Sequence, residues 1–225
     1  METGVLYIVA TPIGNLEDIT YRAVRTLSEV DYILCEDTRV TGILKQRYEI
    51  ETPLRRYDAH VGERSHGAII ADLEAGKSIA LVSDAGTPGV SDPGVLLVQI
   101  ARAAGVKIET IPGPSAVTAA VSLAGFTGNQ FAFLGFAPQK KGRQNFFASL
   151  STFVYPVVFF ESTHRIMKAL EQLVEHTPDA TVYLARELTK LYEECLVGSP
   201  AELYEVLTAD PVKQKGEFVI IVDCC

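Results

Sequence analysis

The sequence predicts an α/β protein of two domains, a mostly parallel sheet with helices on both faces followed by a mixed α/β sheet. Three observations carry this. Apolar, β-branched runs alternate with amphipathic stretches from the start of the chain, which is the grammar of parallel strands joined by crossover helices. The small, turn-forming stretch AGFTGNQ (124–130) then interrupts the alternation. Beyond it the strands fall closer together, which favours mixed pairing. With 225 residues there is chain enough for two cores, and the domains are expected at 1–125 and 126–225.

In order, GVLYIVA (4–10) is a buried strand. ITYRAVRTLSEV (19–30) spaces Ala23, Leu27 and Val30 as one helical face, with Thr20 as N-cap. DYILCED (31–37) is a strand, TGILKQRY a short helix, and LRRYDAH holds a third strand. ERSHGAIIADLEAG is a helix closed by Gly76. SIALVSD (78–84) is a strand, after which SDAGTPGVSDPG leads into a helix expected to begin at Pro93 and to be capped by Ser91 or Asp92. VKIETIP (106–112) and PSAVTAAVSLAG (114–125) complete the first domain. In the second, FAFLGFAP and VVFFES are strands separated by the polar segment QKKGRQNFFASLST. HRIMKALEQLVEHT (164–177) is amphipathic, and TVYLARE, EECLVGS and GEFVIIVD are strands. SPAELYEVL is a helix opened by the capping-box pair Ser199 and Glu202.

Composition excludes several classes. A net charge of −8 leaves nucleic-acid binding to local basic clusters: Arg39, Lys45, Arg47, Arg55 and Arg56 in one region, Lys140, Lys141 and Arg143 in another. The cysteines, Cys35, Cys195, Cys224 and Cys225, form no C-x-x-C pair. No apolar run approaches the roughly 18 residues of a membrane helix, and the N-terminus lacks a signal-peptide pattern, so a cytoplasmic protein is expected. His60 and His66 are expected at the surface.

Ligands of parallel sheets gather beyond the carboxyl ends of the strands. Here ATPIGNLED, EDTR, SDAGTPGVSDPG and IPGPSA all fall at such ends, crowded with Gly, Pro, Asp and Ser. The chain has neither G-x-x-x-x-G-K-[ST] nor G-x-G-x-x-G after its first strand, which disfavours a nucleotide-phosphate cradle. It also lacks G-x-S-x-G and H-E-x-x-H. Asp84, Asp92, Glu36 and Asp37 do not match a calcium-loop spacing, so no metal is expected. In the second domain VFFESTHR and LARELTKLYEE both end a strand in carboxylate, hydroxyl and cation. This singles out Glu161, Arg165, Arg186, Glu187 and Lys190 as either ion pairs or site residues.

Eight stretches in order, YIVATPIGNLEDIT, CEDTR, LVSDAGTPGVSDPG, IPGPSAVTAA, FLGFAP, VFFESTHR, RELTKLYEE and GEFVIIV, resemble the motifs of the small-subunit ribosomal RNA cytidine 2′-O-methyltransferases. That family lies within the tetrapyrrole methylase superfamily, and the resemblance runs from about residue 5 to about residue 222. It implies the two-domain tetrapyrrole methylase fold, a homodimer, S-adenosylmethionine folded into a cleft, and methylation of a ribose 2′-oxygen in the decoding region of the ribosomal RNA or the 30S subunit. By the same resemblance the cofactor contacts are Pro12, Asp84, Gly86, Thr87, Ser115 and Ala116, with Phe160, Leu188 and Gly216 from the second domain. Two departures stand out: Thr163 occupies the proline position of the motif ESPHR, which predicts a slightly looser turn, and this chain reads to Cys225 where family members commonly continue into a small helical domain.

Methyl transfer to a ribose hydroxyl needs a proton acceptor. Glu36, Asp37, Glu161, Glu187 and Lys190 are the candidates, with Glu187 and Lys190 favoured as a pair, and Lys190 able to serve only if its pKa is lowered. Arg39, Arg165 and Arg186 are expected to hold phosphate, joined by Arg55, Arg56, Lys140, Lys141 and Arg143. Phe131, Phe133 and Phe136 could stack on a base, though core packing is the commoner role. Two other functions fit the same residues: methylation of a tetrapyrrole or other small molecule, favoured by the acidic charge, and a non-catalytic RNA-binding module, disfavoured by the intact SDAGTPG and PGPSA loops.

Overall fold

The computed structural model describes residues 4–58, 62–91, 94–126 and 128–224, with residues 62–64 described by backbone alone. The chain divides into two compact units, 1–115 and 116–225. The cap expected from Asp92 at Pro93, and His60, lie outside the described residues.

The first unit runs β1 (Val5–Val9), α1 (Tyr21–Glu29), β2 (Tyr32–Cys35), α2 (Thr38–Arg47), β3 (Leu54–Arg56), α3 (Gly62–Glu74), β4 (Ile79–Leu81), α4 (Gly94–Ala103) and β5 (Lys107–Ile111). Its five strands pair in the order β3-β2-β4-β1-β5, every pair parallel. Alternate residues of each strand serve opposite faces. Leu6, Tyr32, Leu34, Ile79 and Leu81 pack with Leu73 of α3 and Leu97 of α4, while Val9, Ile33, Cys35 and Ala80 pack with Ala23 and Leu27 of α1 and Leu44 of α2. Helices therefore cover both faces, as the near-continuous apolar strands require. Thr20 caps α1 as expected, its side chain accepting from the Ala23 N–H at 3.1 Å. His66 corrects an expectation: it is buried, with Nε2 2.9 Å from the Tyr57 hydroxyl. That partner sits nine positions away and turns a helical histidine inward.

The second unit runs α5 (Ala116–Ala124), β6 (Ala132–Phe136), α6 (Arg143–Ser149), β7 (Val157–Ser162), α7 (Ile166–His176), β8 (Thr181–Arg186), β9 (Glu194–Gly198), α8 (Pro200–Ala209) and β10 (Glu217–Asp223). Its sheet has the order β6-β7-β10-β8-β9; β6 and β7 are parallel and the other pairs antiparallel. The division falls before α5, upstream of the turn-rich stretch, because α5 packs on β8, β9 and β10. The polar segment between the first two strands contains α6, unanticipated from sequence. Its Phe147 and the following Leu150 are fully buried against Phe159, Leu170 and Leu173. The Ser199–Glu202 capping box is complete, each partner bonding the other's backbone N–H.

Candidate functional site

Strands β2, β4, β1 and β5 lie side by side and point the same way, so the loops leaving their carboxyl ends meet. The loops are laced together by backbone. The Thr11 N–H donates to the Gly86 carbonyl at 2.9 Å, and the Gly86 N–H returns a bond to the Thr11 carbonyl at 3.0 Å. The Thr11 hydroxyl donates to the Ser83 carbonyl at 3.1 Å, and that of Thr87 to the Pro114 carbonyl at 3.3 Å. Asp84 accepts the Asp37 N–H at 3.0 Å, tying the loop after β4 to the start of α2. Pro12 is buried within this knot.

Two glycines stand out here, one for its conformation and one for its close packing. Gly86 has φ +78°, a conformation L side chains rarely adopt. Gly113 presses on β1, and a Cβ there would stand 3.1 Å from the Ala10 methyl. Of the cofactor residues implied by resemblance, the loops gather Pro12, Asp84, Gly86 and Thr87, with Ser115 following Pro114. Ala116 opens α5 and belongs to the second unit. The lacing uses peptide groups, hydroxyls and the Asp84 carboxylate, with no lysine among the bonds described, which suits a ligand without phosphate.

At the start of α2, Arg39 grips Asp37 with two nitrogens, at 2.6 Å from Nη2 and 3.0 Å from Nε. The hydrogen bonds from the Arg39 side chain and backbone push the Asp37 carboxyl down to about 2. The Arg39 side chain is otherwise open to solvent.

A second cluster forms in the second unit. Strands β7 and β8 both run antiparallel to β10, so their carboxyl ends lie on either side of its first residues. This geometry explains why two strands end in the same charge grammar. Lys190 Nζ bonds Glu187 Oε1 at 3.0 Å and Glu217 Oε2 at 2.8 Å, and Glu187 Oε1 also accepts the Glu217 N–H at 3.0 Å. Burial works to raise the Glu187 pKa, but the Glu217 N–H and the Lys190 ammonium outweigh it and hold the carboxyl below its ordinary range. For Lys190 burial works downward, and its two carboxylate partners outweigh it and hold the ammonium above its ordinary value. The condition under which Lys190 could act as a base is therefore not met here. Glu187 and Thr189 both have positive φ, +52° and +64°, which marks a strained loop.

Gly216, at φ +111°, sits directly against Glu187: a Cβ there would come within 2.6–2.8 Å of the Glu187 side chain. Leu188 is buried, and Phe160 is half-buried between Phe133 and Phe136, ring centroids 5.0 and 5.2 Å away. Phe133 packs as the commoner reading had it, whereas Phe136, 54% exposed, and Phe131 lie at the surface.

Glu161 behaves differently from Glu187. Its side chain has no exposed surface and receives Arg143 Nη1 at 2.8 Å, Arg165 Nε at 2.7 Å and the Ser162 N–H at 2.8 Å. A carboxylate so enclosed is an ion-pair centre rather than an accessible base. Arg143, expected at the surface, is buried by this pairing, and Arg165 is turned towards the same carboxylate. Arg186 is also buried: it donates to the carbonyls of Lys215 at 2.6 Å, Val212 at 3.1 Å and Tyr192 at 3.4 Å, holding the loops beside β8 in place. Lys140 and Lys141 are exposed as expected. Sequence reasoning missed Glu217 as a partner of Lys190 and the role of Thr11, because their partners lie far along the chain and leave no local pattern.

The sequence profile of the tetrapyrrole (corrin/porphyrin) methylases matches residues 5–204. A Thermotoga maritima protein named ribosomal RNA small subunit methyltransferase I is 42% identical over 219 residues, 97% of this chain and 98% of that one. Proteins of the same name from Neisseria meningitidis serogroup B and Escherichia coli O157:H7 are 44% and 43% identical, covering 97% and 98% of this chain and 76% and 78% of theirs. Among solved structures, diphthine synthase superposes with TM-score 0.73 at 16% identity over 97% of this chain and 89% of its own, and the methyltransferase CobJ with 0.72 at 21% over 98% and 94%. At those identities the likeness is one of fold.

Proposed function

The chain belongs to the tetrapyrrole methylase family, and from that premise we propose that it methylates the ribose 2′-oxygen of a cytidine in the decoding region of small-subunit ribosomal RNA, with S-adenosylmethionine as donor. The name shared by relatives more than 40% identical over nearly the whole chain carries the choice of substrate. The laced Gly- and Pro-rich loops support the cofactor: S-adenosylmethionine offers an adenine, a ribose, an amino-acid tail and a sulfonium but no phosphate, so peptide groups at close approach suit it. Pro12, Asp84, Gly86, Thr87, Ser115 and Ala116 are assigned to it, with Phe160, Leu188 and Gly216 as further contacts. The same reading makes the protein a cytoplasmic homodimer acting on ribosomal RNA or the 30S subunit.

Bound S-adenosylmethionine supplies an electrophilic methyl group. The protein's part is to align the ribose oxygen with it, exclude water and take the hydroxyl proton. Glu187 is assigned as acceptor: its carboxyl is ionised at neutral pH and reaches solvent on one side. Lys190, kept as an ammonium, positions Glu187 and offsets its charge. Arg39, Lys140 and Lys141 are assigned to the RNA backbone. Arg143, Arg165, Arg186 and Glu161 act through structure, by the bonds that bury or occupy them.

The test is incubation of the protein with methyl-labelled S-adenosylmethionine and small subunits lacking the mark, followed by digestion to nucleosides. Label in 2′-O-methylcytidine is expected. Label only in a tetrapyrrole precursor supplied in parallel, or RNA binding without cofactor binding, would overturn the proposal.

A further inference from the structure

The Glu161 ion-pair centre is unbalanced. One buried carboxylate serves two guanidiniums, the buried Arg143 and the part-exposed Arg165, so the cluster carries a net positive charge. Arg143 is 4% exposed. It spends three of its five N–H donors: Nε on Gln172 Oε1 at 2.7 Å, and Nη1 on the Pro138 carbonyl at 3.1 Å and on Glu161. Its Nη2 is buried and has no hydrogen-bond partner among the described residues. The Phe147 ring, 5.0 Å from the guanidinium carbon, covers one side.

Above this arginine lies a cleft of about 450 Å³. Arg143 and Gln172, both buried, form its floor, and the exposed Gln139, Lys140, Asn145 and Lys168 its rim. Lys168 and Gln172 stand one turn apart on α7, so α7 presents an ammonium and an amide to the same space. No acidic side chain lines the cleft among the described residues. Its contents are three cations and several amides, the donor set of an anion site, and its volume admits a phosphate with an attached sugar.

We propose that this cleft binds the phosphate group of a nucleotide, with Lys140 and Lys168 closing on the anion over Arg143 and Gln172. The phosphate can belong to an RNA strand or to a free nucleotide. The RNA source rests on the function proposed above; the site itself does not.

The experiment follows the amide resonances of Gly142, Asn145 and Lys168 in the full chain during titration with inorganic phosphate, cytidine 5′-monophosphate and a single-stranded RNA oligonucleotide. Saturable shifts at these amides are expected. The double variant Lys140→Gln/Lys168→Gln should weaken binding by about tenfold and reduce the salt slope for RNA by about 0.7 for each phosphate it no longer neutralises. Removing two charges elsewhere, in Arg25→Gln/Arg102→Gln, should leave both unchanged. Shifts with the mononucleotide but not with RNA would support the site and assign it to free nucleotide. No saturable shift with any of the three probes, or equal binding by the parent and the Lys140/Lys168 variant, would overturn the proposal. Failure of the parent to methylate RNA would sink the proposed function and leave these titrations decisive for the cleft.

Discussion

Thr163 and Gly216 are joined by a single hydroxyl used twice: Thr163 Oγ1 accepts the Gly216 N–H at 2.6 Å and donates to the Gly216 carbonyl at 2.8 Å. The turn expected to loosen slightly where threonine replaces proline is tied to the residue just before β10. Gly216 in turn lies against Glu187, so a single residue separates the hydroxyl from the proposed proton acceptor.

Replacing Thr163 by valine keeps the shape and removes both bonds. The site is partly open to water, so a loss of about 1 kcal/mol is expected from denaturant unfolding. Methyl transfer should fall as well, and Thr163→Ser should restore both. An unchanged unfolding midpoint together with an unchanged rate would show that the bridge carries no weight.

Gly216→Ala should be the more damaging change. Its Cβ would overlap the Glu187 carboxylate, and φ +111° is unfavourable to any side chain. A loss of about 1–3 kcal/mol is expected from the backbone alone. Displacement of Glu187 should lower the single-turnover rate more than the affinity for S-adenosylmethionine, measured separately by calorimetry.

The Glu187–Lys190 pair makes opposite predictions at the two ends of the pH scale. A carboxyl whose pKa falls on folding stabilises the fold above its unfolded value and loses that contribution as pH drops through the folded one. The stability difference between the parent and Glu187→Gln should therefore be full at neutral pH and shrink only below the ordinary glutamate value of roughly 4.3. Lys190, with a raised pKa, contributes fully below its ordinary value of roughly 10.4 and loses the contribution as pH climbs through the higher folded value. Thermal unfolding of the parent, Glu187→Gln and Lys190→Met across pH 3–11 (on the order of the range those two groups span) measures both limbs. In catalysis Glu187→Gln should reduce single-turnover methylation by at least about 100-fold, whereas an unchanged rate would remove Glu187 as acceptor.

Glu161→Ala separates an ion-pair role from a catalytic one. It leaves the Arg143 and Arg165 guanidiniums without their shared carboxylate, and a loss of about 3–5 kcal/mol is expected. A variant that stayed as stable as the parent yet lost methylation would reverse the assignment and make Glu161 a chemical group.

Much of the fold was legible because local signals and tertiary outcome agree. The Val5–Val9 and Tyr32–Cys35 runs are buried strands, Thr20 caps α1, and Ser199 with Glu202 closes the capping box, each set by residues within one turn of one another. Helix α6 was hidden because its few apolar residues are embedded in polar sequence and acquire a helical face only against Phe159 and α7. The strand-end loops stood out from their crowding of Gly, Pro and Asp, and the structure brings them together. The roles of Glu161 and Arg143 did not stand out, since a charged residue reads alike in sequence whether it meets water or another charge.

Composition and pattern by themselves determined the strand–helix grammar, the two-part architecture and the Gly- and Pro-rich loops at the strand ends, because periodicity and turn chemistry are properties of neighbouring residues. Only the tertiary structure decided which charges are spent. Antiparallel pairing of β8 with β10 brings Glu187, Lys190 and Glu217 into one cluster, and the packing of α6 and α7 beside β7 encloses Glu161 between two arginines. Those encounters join residues far apart along the chain, and the desolvation and pairing they impose exist only once the sheet has formed.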